Sequence, residues 1–102
     1  MKGYVLGRDA EQDLYDLWEY IAQDSVEAAD HLIKQFFDAF ESLALNSGQG
    51  HKREDLTQLP VLFWPLGNYL IIYRVAKSHI DVVAIVHGKR DVPVFLRRSD
   101  NR

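Results

Sequence analysis

The side chains able to do chemistry in this sequence are basic and aromatic, and they gather in its second half: Arg53, Tyr73, Arg74, His87, Lys89 and Arg90. Such a set supports one of two kinds of work. It can cleave RNA, with His or Lys as general acid or base and Arg stabilising the charged phosphorane. It can instead hold an acidic protein segment through charge-assisted hydrogen bonds. Plainer accounts stand beside both. Arg74 suits a structural ion pair, with Asp91 as candidate partner, and His87 suits a strand end hydrogen-bonded to backbone. Arg53 belongs to the run His51-Lys52-Arg53-Glu54-Asp55, where charge pairing within a solvated loop contributes little. The sharper account of that run is a basic patch on the rim of a sheet.

Other chemistries lack their motifs. There is no Gly-rich phosphate loop, no metal-ligand spacing among His31, His51, His79 and His87, and no nucleophile-elbow serine. No cofactor and no metal is called for. The chain has no cysteine, which excludes disulfides and thiolate chemistry and fits a reducing compartment. No run of about 18 apolar residues is present, and Met1-Lys2-Gly3 leads directly into patterned sequence. A cytoplasmic protein without a leader or membrane span is the expectation.

The elements that must position these side chains follow from periodicity. Tyr69–Asp91 reads as two strands joined at Lys77-Ser78, with Tyr69, Ile71, Tyr73 and Val75 alternating against Leu70, Ile72 and Arg74. In the second strand Ile80, Val82, Ala84 and Val86 alternate with Asp81, Val83 and Ile85. Both faces are largely apolar, so the hairpin belongs at the centre of a covered sheet. Residues 3–7 read as a short strand. Asp9 then suits a helix N-cap with Gln12 three residues on, ahead of the apolar set Ala10, Leu14, Leu17, Trp18 and Ile21. Glu11, Gln12, Asp13, Asp16 and Glu19 read as the solvated face of that helix.

Asp24 or Ser25 caps a second helix, whose wide stripe includes Phe36, Phe37, Phe40 and Leu43. Asn46-Ser47-Gly48 ends it with residues that tolerate a left-handed conformation. The short break at residues 23–25 predicts an antiparallel helical hairpin. Residues 49–60 form the loop, Val61–Trp64 a strand ended by Pro65, and Leu66-Gly67-Asn68 a turn. Val92–Leu96 can cover the sheet, and residues 97–102 read as a frayed, charged tail.

The expected architecture is one α+β domain over residues 1–102, with two layers: a helical hairpin packed on a small, mainly antiparallel sheet in β-α-α-β-β-β order. Charge divides along it. Residues 1–48 hold 3 Lys/Arg against 10 Asp/Glu, and residues 49–102 hold 9 against 5, within a whole-chain net of −3. The two halves therefore suit different partners, and the overall charge argues against tight duplex binding.

The chain also resembles the ParE branch of the RelE/ParE toxin superfamily, from bacterial type II toxin–antitoxin modules. The resemblance is carried by Ala10-x-x-Asp13-Leu14-x-x-Leu17-x-x-Tyr20-Ile21-Ala22, Arg53-x-Asp55-Leu56, Gly67-Asn68-Tyr69-Leu70-Ile71-Ile72-Tyr73-Arg74 and His87-Gly88-Lys89-Arg90-Asp91. It spans residues 3 to 96 and implies the same β-α-α-β-β-β fold. It further implies a toxin that traps DNA gyrase on cleaved DNA and so blocks replication, touching nucleic acid only indirectly. A cognate ParD-like antitoxin with a disordered tail that folds onto the domain would neutralise it, in a toxin–antitoxin hetero-oligomer. A basic tail segment would suit the acidic half, and an acidic one the basic half.

RelE-like relatives instead cut mRNA in the ribosome, and on that reading Arg74 and His87 would be the catalytic pair. A third reading is a degenerate toxin kept as an antitoxin partner. Val92–Leu96 lacks the tyrosine or lysine common in the ribonucleases, and the pI of about 5.7 departs from strongly basic ribosome binders. Both departures favour gyrase.

Overall fold

The computed structural model describes residues 3–100, with side chains as far as Arg97. Strand β1 (Tyr4–Leu6) leads into helices α1 (Arg8–Ala22) and α2 (Val26–Leu45), and a 3₁₀ turn (Ser47–Gln49) follows. Strands β2 (Leu62–Leu66), β3 (Tyr69–Val75) and β4 (Ile80–His87) come next, and helix α3 (Val92–Asp100) ends the described chain. The sheet order is β1-β4-β3-β2; β1 runs parallel to β4 and the other pairs are antiparallel. The α+β arrangement read from the sequence is therefore present.

The sheet is covered on both faces. Phe36, Phe40 and Leu43 of α2, with Ala10 and Leu14 of α1, bury Ile71, Tyr73, Ile80, Val82 and Ile85. Across the sheet, Val92, Phe95 and Leu96 of α3 join Val61 and Phe63 over Ile72, Ala84 and Val86. Helix α3 corrects the expected tail: residues 97–100 continue a helix, while residues 101–102 lie outside the described residues. Its signal was present, because Val92, Phe95 and Leu96 recur at i, i+3 and i+4. Asp91 starts it: the Asp91 carboxylate accepts from the Val94 amide at 3.3 Å, and the Asp91 carbonyl accepts from Phe95 at 2.9 Å. Pro93 falls in the first turn, where a missing N–H costs nothing.

Other boundaries moved for local reasons. Gly7, rather than Asp9, precedes α1 and makes no side-chain cap, which places Asp9 in the first turn beside the positive end of the helix dipole. Ser25 caps α2 by accepting from the Ala28 amide at 3.0 Å. No non-glycine residue among those described has positive φ, so α2 ends through the 3₁₀ turn and not through a left-handed residue at 46–48. Pro65 does not end β2 but pairs within it, opposite Leu70. It is tolerated because β2 is an edge strand. Gly67, at φ 59°, is the first central residue of the two-residue turn into β3, as a II′-type hairpin requires.

The simple alternation expected of β4 is broken by a bulge. Tyr73 pairs with Val82 and Ile72 with Ala84, which leaves Val83 without an opposite residue. Beyond it the strand's faces exchange: Ile80 and Val82 face the helical hairpin, while Ala84 and Val86 face α3. One extra residue shifts every later side chain to the other face.

Candidate functional site

The strand register decides where the cationic side chains go. Arg74 pairs across the ladder with Asp81, not with Asp91, and its Nη2 lies 3.3 Å from the Asp81 carboxylate. His79 Nε2 approaches the other oxygen of Asp81 at 2.9 Å. A hairpin turning at Lys77-Ser78 already places 74 opposite 81, so the partner was legible in the register. Arg74 is exposed, and a pair this open is worth about 0–1 kcal/mol. It borders a cleft with Gly7, Arg8, Pro60, Val61 and Leu96 on the α3 face of the sheet. A second cleft, lined by Lys52, Arg53 and Glu54, shares Pro60 and Val61 with it.

Arg53 itself is engaged within its loop. Its Nε and Nη2 donate to the two oxygens of Asp55 at 3.0 and 2.9 Å. That fork holds the Asp55 carboxyl below its ordinary range, chiefly through the Arg53 hydrogen bond. A group with a depressed folded pKa contributes stability present above the unfolded pKa and lost as pH falls through the folded one. For Asp55 the window lies below the ordinary carboxylate value of about 4. In Arg53→Gln, an NMR titration should find the Asp55 midpoint moved up toward that ordinary value. An unchanged midpoint would mean the fork is not formed in solution.

Tyr73 is removed from the contact surface by burial at 0% exposure. Its hydroxyl donates to the Ser47 carbonyl at 2.7 Å and accepts from the Gly50 amide at 2.9 Å. Burial pushes the phenol pKa up, and the Gly50 amide opposes that. Its work is to fasten the loop after α2 to the sheet.

His87 lies at the other end of the hairpin, opposite Tyr69, with the two rings edge to face at 5.3 Å. Its Nδ1 accepts from the Lys89 amide at 3.1 Å, which is the strand-end bond expected for it. The Arg90 guanidinium lies 4.9 Å from the centre of the Phe95 ring. His87, Arg90 and Phe95 line a cleft together with Asp13, Asp16 and Tyr20 of α1. Lys89 is exposed beside them.

The helical pattern puts Asp13 on a solvated face, yet its carboxylate accepts from the Ile85 amide at 2.9 Å. Strand β1 pairs with β4 only as far as Val82. Beyond that point a donor of β4 is left without a strand, and Asp13 supplies the acceptor. Periodicity shows a carboxylate on a helix but not the interrupted ladder above it.

The structure therefore divides the six candidates. Arg53 and Arg74 border neighbouring clefts on the α3 face, and His87, Lys89 and Arg90 form a corner at the far end of the hairpin. Arg74 and His87 do not converge. Five residues of β3 separate their register positions, roughly 17 Å along a strand, and they project from opposite faces. Among the described residues no cluster of His, Asp and Glu could hold a metal, and no helix is long and apolar enough to cross a membrane.

Fold and placement together define a small α+β protein with two separated cationic regions. The family model for the ParE toxin of the type II toxin–antitoxin system, parDE, matches residues 4–92, and the chain belongs to that family. A solved structure described as the chromosomal ParDE toxin–antitoxin system from P. aeruginosa superposes with a TM-score of 0.69 at 21% identity. The match covers 85% of this chain and 96% of that one, and it shows the shared fold. No curated protein matches the chain.

Proposed function

We propose that this ParE-family toxin acts by binding DNA gyrase and holding it on cleaved DNA, and that a cognate ParD-like antitoxin neutralises it. The observation that carries the reading is the separation of Arg74 from His87. An RNA-cleaving pair must reach one scissile phosphate, the base at hydrogen-bond distance and the cation within a few ångströms. Side chains at opposite ends and on opposite faces of a hairpin cannot share that phosphate without refolding the sheet. They can each contribute to a protein interface, where exposed cations steer association and fix register. Arg53, Arg74, His87, Lys89 and Arg90 are the proposed contact residues.

The test is purified toxin added to gyrase and plasmid DNA, beside a translating ribosome extract. Trapped gyrase–DNA cleavage complexes with intact mRNA are expected. Codon-phased mRNA cuts that fall by about 10²–10⁴ in Arg74→Ala or His87→Ala, without trapped gyrase, would overturn the reading.

A further inference from the structure

Tyr15 and Tyr20 are both exposed on α1, but only the first is occupied. Tyr15 is 57% exposed, and its hydroxyl donates to the Glu19 carboxylate at 3.1 Å, one turn along the same helix. Tyr20 is 74% exposed and has no hydrogen bond among the described residues. A lone exposed ring is ordinary on a protein surface. Tyr20 is not alone, because it borders a cleft of about 330 Å³ with Asp13, Asp16, His87, Arg90 and Phe95.

Two groups in that cleft hold donors with nothing to receive them. The His87 Nδ1 accepts from the Lys89 amide, so in the neutral ring the proton sits on Nε2, which meets no acceptor among the described residues. Arg90 lies over the Phe95 ring and pairs with no described carboxylate, which leaves its N–H groups unengaged. The two carboxylates are each engaged already. Asp13 accepts from the Ile85 amide, and Asp16 accepts from Gln12 Nε2 at 2.8 Å. The cleft therefore carries both signs of charge. A DNA strand, charged at every phosphate, would be repelled by Asp13 and Asp16 as it approached Arg90. A protein segment can bring one acidic group to Arg90 and leave the carboxylates to water or to a donor of its own.

We propose that this cleft is a contact with gyrase itself and not with its DNA, and that Tyr20 is the aromatic anchor of that contact. An apolar side chain of the gyrase segment packs on the Tyr20 ring, and an acidic one reaches Arg90 and the His87 Nε2–H. This rests on the gyrase reading above. It extends the corner assigned there to His87, Lys89 and Arg90 onto α1, and it adds a residue outside the cationic set. Tyrosine and arginine dominate interface energetics more often than other side chains: a ring buries a large area while ordering few torsions, and a guanidinium forks onto a carboxylate.

The test measures affinity of the full chain for purified gyrase without DNA, and trapping of cleavage complexes on plasmid DNA, in Tyr20→Ala, Arg90→Ala and Tyr15→Ala. All three side chains are exposed, so the fold should persist, with an unchanged unfolding midpoint. Affinity for DNA-free gyrase is expected to fall about 30-fold in Tyr20→Ala and about tenfold in Arg90→Ala, and to stay within about twofold in Tyr15→Ala. Wild-type affinity in Tyr20→Ala would overturn the anchor alone. A wild-type chain that neither binds gyrase nor traps it would overturn the gyrase reading as well. Reduced trapping with unchanged affinity for DNA-free gyrase would assign the cleft to DNA, and a loss confined to antitoxin binding would assign it to the antitoxin. Either result overturns the proposal, as does an equal loss in Tyr15→Ala.

Discussion

Phe40→Ala should unfold at markedly lower denaturant than the wild-type chain, with a loss of about 3–5 kcal/mol. Phe40 is fully buried at the point where α2 crosses the sheet. Its ring lies 5.4 Å from Tyr4, 5.6 Å from Phe37 and 6.3 Å from Phe36, centre to centre. Truncation removes the transfer free energy of the ring and leaves a cavity among groups fixed on α2 and on the sheet, β1 included. None can collapse into it without moving the others, which is the condition for the upper end of the range. Domains of this size are stable by only about 5–15 kcal/mol, so the variant loses about a fifth of the total or more. Urea unfolding followed by circular dichroism measures it, and a loss under about 1 kcal/mol would mean that α2 is not packed as described.

Gly50→Ala should cost about 1–3 kcal/mol, although the backbone there suits any residue. Gly50 has φ −71° and ψ 172°, so the constraint is space and not conformation. A Cβ at this position would meet the Tyr73 hydroxyl and two of its ring carbons, those at 2.8 and 2.9 Å. Tyr73 is enclosed and cannot swing away, so the loop must lift and strain the hydrogen bonds of its hydroxyl to Ser47 and Gly50. Tyr73→Phe should cost about 1–3 kcal/mol by leaving the Gly50 amide without its acceptor. The double variant should cost less than the sum, since both changes break the same fastening. Gly48→Ala is the control: nothing lies within 4 Å of its added carbon, and a change within about 0.5 kcal/mol is expected. Equal effects at Gly48 and Gly50 would refute the fastening.

These two sites differ in how far the sequence announced them. Phe36, Phe40 and Leu43 were legible as a buried stripe, because helical spacing alone puts them on one side of α2. Nothing near Gly50 foretells Tyr73, which is 23 residues away and meets it only after β2 and β3 have paired. Asp81 was legible in principle, since the turn position sets the residue opposite Arg74. Asp13 was not, since its role depends on β1 being too short to finish the ladder of β4.

The fold class, the order β-α-α-β-β-β, most of the core and the resemblance to ParE toxins are all legible in the amino-acid sequence. Those follow from local periodicities of 2 and 3.6 residues and from motif order, which need no knowledge of distant contacts. That Arg74 and His87 stand apart, that Tyr73 is internal and that Asp13 completes the ladder of β4 emerges with the folded chain. Each of these depends on register across strands. A bulge at Val83 changes faces without changing composition, and pairing between distant segments leaves no periodic trace in either one.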